Sequence, residues 1–208
     1  MSVKRLIVSD ADSTFFRQEV IELIAEHAGT RDEVAAVTER AMRGELDFAG
    51  SLRERVATLA GVPVEALEKV RAAVELMPGA RELVAECQAR GWAFGLVSGG
   101  FEEVAGPIAR ELGIELVRAN RLEVADGVLT GRTVGPVIDR AAKAATLREW
   151  AAQVGVPLEQ TVAVGDGAND LDMIGVAGVG VAFNAKPVVR DQAPHVIEDR
   201  LDNLLALL

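Results

Sequence analysis

Short apolar runs alternate with longer stretches in which apolar residues recur every three or four positions. The runs Leu6-Ile7-Val8, Leu96-Val97 and Val162-Ala163-Val164 are too short for helices, and each leads into polar residues or glycine. Runs of this kind are typical of strands buried in a parallel sheet. Their alternation with helical stretches predicts an α/β fold, with a doubly wound, mostly parallel, Rossmann-like sheet.

The longest helical stretch follows the first strand. Phe16, Val20 and Ile24 recur at helical spacing up to His27, and Gly29 ends this run. Three more predicted helices cover residues 31–43, residues 52–59 and a segment opened by Pro63. Four helices between two strands of a sheet predict a separate small bundle. We therefore expect residues 15–75 to form a helical cap over a core made of residues 1–14 and 76–208.

The rest of the chain alternates between strands and helices. Asp126-Gly127 lies between two apolar segments, which indicates a two-residue hairpin turn. Predicted strands follow at 92–97, 161–164, 179–183 and 195–197, with helices at 79–90, 101–112 and 139–154. This order continues the doubly wound sheet.

Composition limits the possible partners and compartment. The chain has 208 residues, half of them hydrophobic, which is enough for a full core and an inserted cap. A net charge of −10 argues against nucleic acid or an anionic membrane as partner and leaves a small-molecule substrate. The single cysteine, Cys87, excludes an intrachain disulfide. No apolar run approaches the roughly 18 residues of a membrane span, and no signal segment precedes the first strand, so we expect a cytoplasmic protein.

Polar residues that suit phosphate chemistry follow the predicted strands. Ligands of open α/β sheets bind beyond the carboxyl ends of the strands, so these residues are expected to converge. Carboxylates, a lysine, a hydroxyl and glycine N–H groups then surround one point. That combination predicts metal-assisted phosphoryl transfer through an aspartyl intermediate. The residues are Asp10-Ala11-Asp12-Ser13-Thr14, Ser98-Gly99-Gly100, Lys143 and Gly165-Asp166-Gly167-Ala168-Asn169-Asp170.

Each group has a chemical reason to be there. Crowded carboxylates repel one another and a phosphate dianion, so they need a cation, and Mg²⁺ suits oxygen ligands and substrate phosphate. Asp10 would attack phosphorus, and Asp12 would protonate the leaving oxygen and later activate water. Lys143 would neutralise phosphate oxygens. Ser98 and the glycine N–H groups after it would hold those oxygens at a helix start.

Other interpretations of these residues fit less well. Counted from Asp10, a calcium loop needs glycine at its sixth position and glutamate at its twelfth, where the chain has Phe15 and Ile21. No complete dinucleotide-binding or P-loop motif is present. With two histidines and one cysteine, the chain lacks the ligands typical of a zinc site. Two roles stay open for Asp170: it caps its helix, or it assists the metal, directly or through water.

At these residues the chain resembles the haloacid-dehalogenase-like phosphatases. Their D-x-D-x-T motif matches residues 10–14, their serine motif Ser98, their lysine motif Lys143 and their G-D-x-x-N-D motif residues 165–170. Residues 41–48, 51–56, 97–101 and 119–122 further resemble the branch that acts on phosphoserine. The chain departs from that branch at Ser9, Ala11 and Phe15-Phe16, which bear on the shape of the pocket and remove no reacting group.

The resemblance implies a Mg²⁺-dependent hydrolase that converts O-phosphoserine to serine and phosphate, the last step of serine biosynthesis. It implies Asp10 and Asp12 as catalytic residues, with the metal held by Asp10, the Asp12 carbonyl, Asp166 and Asp170. It assigns substrate contacts to Thr14, Glu19, Met42, Phe48, Arg55, Ser98, Gly99, Gly100, Lys143 and Asn169.

Within that set, a carboxylate suits the substrate ammonium and an arginine fork suits its carboxylate. Glu19 and Arg55 would otherwise be surface charges, Met42 and Phe48 would otherwise be cap core, and Arg53 is the nearest competitor of Arg55. Three alternatives stay open: another small phosphomonoester as substrate, transfer of the phosphoryl group to an alcohol, and a non-catalytic sensor of a phosphoamino acid. A monomer and a homodimer are equally compatible with the sequence.

Overall fold

The computed structural model describes residues 3–42 and 45–208, with the exception of the Met42 side chain. Within this part of the chain the strands are β1 (Leu6–Ser9), β2 (Ala93–Phe101), β3 (Leu116–Ala125), β4 (Val128–Val134), β5 (Thr161–Gly165), β6 (Val179–Phe183) and β7 (His195–Ile197). They form one sheet in the order β4-β3-β2-β1-β5-β6-β7. Only the pair β3–β4 is antiparallel. The predicted doubly wound, mostly parallel sheet is therefore confirmed.

Helices pack on both faces of this sheet, and several of them lie between β1 and β2 in chain order. They are α1 (Val20–Ala28), α2 (Arg31–Met42), α3 (Phe48–Ala57), α4 (Ala66–Ala73), α5 (Ala80–Arg90), α6 (Glu102–Glu111), α7 (Arg140–Val154), α8 (Leu171–Val176) and α9 (Pro187–Arg190). Short 3-10 turns occupy Leu158–Gln160, Ala168–Asp170 and Leu201–Leu207. Gly29 ends α1 with a φ of 71°, a left-handed conformation that favours glycine. None of the helices described is long and apolar enough to cross a membrane.

Three local predictions were wrong in detail. β2 continues to Phe101, so the Ser98-Gly99-Gly100 segment lies in an irregular strand end and not beyond a strand that ends at Val97. Phe16 lies before α1 and pairs with Leu76 in an antiparallel bridge. His27 is exposed on α1 and is no part of its packed face. The errors at the end of β2 and at Phe16 share a cause, because local sequence patterns do not reveal pairing with distant residues.

The four helices α1–α4 are connected to the sheet at two separate places. Where the chain enters and leaves this region, Arg17 N donates to Glu75 O (2.9 Å) and Met77 N to Phe15 O (2.8 Å). At the other end, the segment before α4 pairs with the β3–β4 hairpin, because Gly61 N donates to Leu129 O over 2.8 Å. Main-chain bonds at both ends hold α1–α4 over the carboxyl ends of β1 and β2.

The hairpin turn formed as the sequence predicts. Asp126 and Gly127 both have positive φ angles, 52° and 77°, as a type I′ turn requires. The two strands then present β4 to the segment before α4, where Val128 bridges to Pro63. The hairpin therefore serves as the second support of the α1–α4 region.

The central strand is buried on both faces. All four residues of β1 are buried, with Ile7 in one hydrophobic cluster and Leu6 and Val8 in the other. Cys87 lies in the first cluster, and burial raises the pKa of its thiol to about 12, so it is a poor nucleophile at neutral pH. A rigid double-sided core thus holds the carboxyl end of β1, from which Asp10 emerges.

Candidate active site

A cavity of about 440 Å³ opens where β1, β2 and β5 end and α1–α3 cover the sheet. Residues from the strand ends form its floor, and residues from α1–α3 form the facing wall. Its lining consists of Asp10, Asp12, Glu19, Ile21, Glu22, Thr38, Phe48, Leu52, Arg55, Gly99, Gly100, Phe101, Asp166, Gly167, Ala168, Asn169 and Lys186. Charged groups of both signs therefore converge on one small space at the topological switch of the sheet.

Lys143 is fully buried below this floor and forms ion pairs with two carboxylates. Its Nζ lies 2.5 Å from Asp10 Oδ1 and 2.7 Å from Asp170 Oδ1. These two carboxylates raise the pKa of Lys143 despite its burial, so it stays a cation. The ammonium reaches this position because α7 begins directly after Asp139, whose Oδ1 caps the helix by accepting a hydrogen bond from Ala142 N.

Three carboxylates meet beside the ammonium. Oxygens of Asp10, Asp166 and Asp170 all lie within 4.8 Å of one another. Asp166 Oδ1 accepts a hydrogen bond from Thr14 (3.3 Å), and Asp170 Oδ2 accepts one from Gly167 N (3.0 Å). Both oxygens of Asp170 thus have protein partners, whereas Asp10 and Asp166 also face the cavity.

This cluster carries more negative charge than Lys143 offsets. Burial and the neighbouring Asp170 raise the pKa of Asp10, and burial followed by Asp170 and Glu19 raises the pKa of Asp166 to about 6. A bound divalent cation removes this repulsion, and carboxylate oxygens are the ligands that hard cations prefer. The residues present therefore fit a divalent metal, with Asp10 and Asp166 as the side chains that face it.

Asp12 lies apart from the carboxylate cluster. Its Oδ1 is buried, and no described residue forms a hydrogen bond to it. Burial and the nearby Glu19 raise the pKa of Asp12 well above its usual value. A carboxyl with a raised pKa, open to the cavity through its side chain, suits a general acid.

The glycines after Ser98 form the opposite edge of the floor. Ser98 is buried, and its Oγ accepts a hydrogen bond from Gly100 N over 2.8 Å. A Cβ atom on Gly100 would stand 2.6 Å from Asp12 Oδ2, and one on Gly99 would stand 3.0 Å from the ring of Phe48. Side chains from the segment after β1 and from α3 therefore approach this backbone closely, and larger residues would displace them.

The facing wall contains the charges that the sequence assigned to the substrate. Arg55 is largely buried; burial lowers its pKa, while Glu19 and Asp12 act in the opposite direction. Its Nε donates to Ser51 O at 3.4 Å, and Glu19 accepts from Ser13 Oγ at 2.7 Å. Arg53, the competing assignment, is exposed and does not line the cavity.

The structure places the predicted site residues that it describes in two groups. Asp10, Asp12, Glu19, Phe48, Arg55, Gly99, Gly100, Asp166 and Asn169 line the cavity. Thr14, Ser98, Lys143 and Asp170 are buried directly behind that lining. The side chain of Met42 lies outside the described residues.

The sequence missed several lining residues, among them Ile21, Glu22, Thr38, Leu52 and Lys186. Glu22 lies one turn after Glu19 on α1, so helical spacing would have placed both carboxylates on one face. Lys186 follows β6 and acts on the charge of Asp166, and a search for cations at strand ends would have found it. Thr38 and Leu52 carry no such signal.

The family of the chain follows from comparison with known proteins. The family model of the haloacid dehalogenase-like hydrolases matches residues 7–174, and the chain belongs to this family. The phosphoserine phosphatase SerB2 of Mycobacterium tuberculosis is 56% identical over 206 residues, which are 99% of this chain and 50% of that protein. A phosphoserine phosphatase of Streptococcus thermophilus is 55% identical over 197 residues, 95% of this chain and 92% of that protein.

A solved structure agrees with this assignment. It is described as a phospho-aspartyl intermediate analogue of phosphoserine phosphatase, and it shares 41% of its sequence and a TM-score of 0.92 over all of both chains. The chain spans about half the length of the first two curated relatives, from M. tuberculosis and Streptomyces coelicolor. The chain therefore corresponds to only part of each of those two proteins.

Proposed function

We propose that this chain is a Mg²⁺-dependent phosphomonoesterase that hydrolyses O-phosphoserine to serine and phosphate through an aspartyl-phosphate intermediate. The observation that carries the proposal is one 440 Å³ cavity with Asp10 and Asp12 at its floor and Glu19 and Arg55 at its facing wall. The floor supplies groups for phosphate transfer, and the wall supplies a partner for each charge of an amino acid. The names of the relatives and of the matching structure support this substrate.

The first half-reaction uses the two carboxyls of the D-x-D segment. Asp10 attacks phosphorus with one carboxylate oxygen, the bond from phosphorus to the serine oxygen breaks, and Asp12 gives that oxygen its proton. Lys143, fixed on Asp10 Oδ1, orients the nucleophile so that its other oxygen faces the cavity. N–H groups of the Gly99–Gly100 segment would hold phosphate oxygens, although Gly100 N also donates to Ser98 Oγ.

The second half-reaction reverses the roles. Asp12, now ionised, takes a proton from a water molecule, and that water attacks phosphorus of the aspartyl phosphate. The bond to Asp10 breaks, phosphate leaves, and Asp12 is again protonated for the next cycle. The raised pKa of Asp12 matches this alternation between acid and base.

We assign the metal to Asp10, Asp166 and the main-chain carbonyl of Asp12, with Asp170 acting through water. Both oxygens of Asp170 already accept hydrogen bonds, which supports an indirect role. When bound, Mg²⁺ would neutralise charge on the phosphate and the carboxylates. Mg²⁺ is favoured over Ca²⁺ because it takes few protein carboxylates together with water and phosphate. Phosphate release with Mg²⁺, and much slower release with Ca²⁺ at equal concentration, is the expected result.

We propose residues 15–75 as the cap that selects the substrate. Arg55 would bind the α-carboxylate and Glu19 the α-ammonium, while Phe48 covers Gly99 and closes the phosphate end. Met42, Ser98, Thr14 and Asn169 complete the predicted contacts. The paired segments around Phe16 and Leu76 suit a hinge between cap and core.

The test is phosphate release from a panel of phosphorylated metabolites at fixed Mg²⁺. We expect phosphoserine to give the highest kcat/KM. A higher value for a phosphate ester that lacks the ammonium and carboxylate would contradict the substrate assignment. Addition of an alcohol acceptor tests phosphoryl transfer, because transfer yields a new ester and less free phosphate. No turnover of any ester, with phosphoserine binding retained, would indicate a sensor.

A further inference from the structure

Asn120 is a buried amide on β3, opposite the end of β2. It is 2% exposed and pairs in register with Phe101. A buried amide is unfavourable unless its donor and its acceptor are both satisfied. The two partners of Asn120 therefore show what its burial accomplishes.

Both partners are main-chain groups that flank the site. Asn120 Nδ2 donates to Gly99 O over 2.8 Å, and its Oδ1 accepts from Ile138 N over 2.9 Å. A carbonyl can only accept and an N–H can only donate, so the orientation of the amide is unambiguous. One side chain thus joins two segments that are far apart in the sequence.

The first bond fixes a peptide that the sheet leaves free. The β2–β3 register shifts between Val97 and Phe101, so regular pairing does not hold the glycines between them. Glycines rotate readily, but the Gly99–Gly100 peptide is planar and trans, so its carbonyl and its N–H point in opposite directions. With Gly99 O held by Asn120, Gly100 N donates to the buried Ser98 Oγ over 2.8 Å, and both glycines line the cavity.

The second bond fixes the start of α7. Ile138 directly precedes Asp139, which caps α7 through its bond from Ala142 N (2.9 Å) and accepts from Lys143 N with its main-chain oxygen (2.9 Å). Lys143 then reaches Asp10 and Asp170 from the first turn of this helix. Asn120 therefore connects the glycine segment to the helix that carries the buried ammonium.

We propose that Asn120 is a positioning residue, which holds the Gly99–Gly100 peptide and the N-terminus of α7 in fixed relation so that both arms of the phosphate site are preorganised. The inference rests on the proposed phosphatase function. It predicts a role at the phosphate end that is independent of the alcohol part of the substrate.

The test compares Asn120→Ala and Asn120→Asp with the wild type on phosphoserine and p-nitrophenyl phosphate. Loss of one preorganised donor or a shift of about 1 Å typically costs 10²-fold or more. We expect Asn120→Ala to lower kcat/KM about 10- to 100-fold, by a similar factor for both esters. Values within threefold of the wild type for both esters would overturn the proposal.

Asn120→Asp separates positioning from simple filling of space. A neutral carboxyl group donates its O–H to Gly99 O and accepts from Ile138 N, as the amide does, whereas a carboxylate cannot donate. We expect this variant to be more active than Asn120→Ala, and its activity relative to the wild type to rise as pH falls from 8 to 5.5. If Asn120→Ala does not fold, this pH dependence alone decides. The proposal is contradicted if the activity of Asn120→Asp relative to the wild type does not change with pH and is reduced as much as we expect for Asn120→Ala.

Thr146→Val is the matched control. Thr146 is buried on α7, donates to Ala142 O (2.8 Å) and accepts from Arg118 (3.0 Å), so valine also removes two hydrogen bonds near the site. We expect activity within threefold of the wild type, with a comparable loss of Tm. An equal loss of activity in the control would reduce Asn120 to a structural residue.

Failure of the proposed function can be distinguished from failure of the role proposed for Asn120. If the wild type turns over p-nitrophenyl phosphate but not phosphoserine, the substrate assignment fails and the Asn120 comparison still stands on the first ester. If it turns over neither, the Kd of orthovanadate, a phosphate analogue, decides. We then expect about tenfold weaker binding by Asn120→Ala and unchanged binding by Thr146→Val; equal affinity in all three proteins would overturn the role of Asn120.

Discussion

The floor and the wall of the cavity satisfy their charges in different ways. At the floor, Lys143, Asp10 and Asp170 are buried and bonded to one another at 2.5 and 2.7 Å. At the wall, among the described residues, Arg55 donates one long hydrogen bond of 3.4 Å to a main-chain carbonyl, and Glu19 accepts one from a serine hydroxyl. The floor therefore pairs its ammonium within the protein and leaves a surplus of negative charge for a cation, while the wall leaves charge available to a ligand.

This difference matches two tasks. Every phosphate ester presents the same phosphate group to the floor. Fixed partners can therefore preorganise the floor for all such esters. Only the alcohol part differs between substrates, and recognition of its charges needs groups that no protein partner already occupies. A buried charge that lacks its partner costs several kcal/mol. The wall can therefore discriminate strongly between substrates that have these charges and substrates that do not.

Asp10→Asn should have the largest effect. The amide lacks the charge to attack phosphorus and is a poorer metal ligand, so kcat should fall at least about a thousandfold with every ester. Single-turnover phosphate release measures this change. The Tm of the variant serves as the control for folding, since Lys143 loses a charged partner. Activity near that of the wild type would rule out the covalent mechanism.

Asp12→Asn should have the next largest effect and should spare binding. Loss of the general acid and base typically lowers the rate about 10²- to 10⁴-fold. The metal contact proposed here is the main-chain carbonyl, which the substitution retains. Calorimetric titration of phosphoserine with Mg²⁺ should therefore give a Kd close to that of the wild type. If binding is lost along with the rate, Asp12 has a structural role instead.

Arg55→Ala should lower kcat/KM for phosphoserine by about 100-fold, close to 3 kcal/mol. The α-carboxylate loses its only proposed partner, so the loss should disappear with phosphoethanolamine, which has the ammonium but no carboxylate. Arg53→Ala, on the same helix but outside the cavity, is the matched control and should stay within twofold. Equal damage by both substitutions would disprove the assignment of the wall.

The smallest effect concerns metal binding and pH. The pKa of Asp166 is about 6 in the folded protein against an ordinary 3.8, so between these values the native state binds more protons and the metal-free protein loses stability as pH rises. A cation reverses this loss. The rise in Tm on adding Mg²⁺ should therefore be larger at pH 7 than at pH 5, and Asp166→Asn should abolish the difference. A pH-independent rise in the wild type would contradict a metal at Asp166.

Much of the floor is predictable because its residues follow strands. Asp10 and Asp166 come directly after β1 and β5, and parallel strands bring such positions together whatever the connecting helices do. The hairpin at Asp126-Gly127 is equally local, since both residues accept positive φ angles. Strand periodicity and turn chemistry are short-range properties, so they can be identified directly from the sequence.

The wall was less predictable from the residues themselves. Thr38 and Leu52 reach the cavity only because α2 and α3 pack over the strand ends, and neither helix signals that orientation by its spacing. The antiparallel bridge between Phe16 and Leu76 and the bonds from Gly61 to the hairpin connect distant segments. Long-range pairing of this kind produces no periodic pattern in the sequence. The prediction that Phe16 lies in a helix was therefore wrong.

The division between floor and wall is tested most directly by one ratio. It is kcat/KM for phosphoserine divided by kcat/KM for ethyl phosphate, which has the same type of leaving oxygen but neither charge. For Arg55→Ala we predict that the ratio falls about 100-fold, because only the charged substrate loses a partner. For Asp12→Asn we predict an unchanged ratio, because both esters need the same proton. A ratio that stays constant in Arg55→Ala, with both rates reduced alike, would contradict the account.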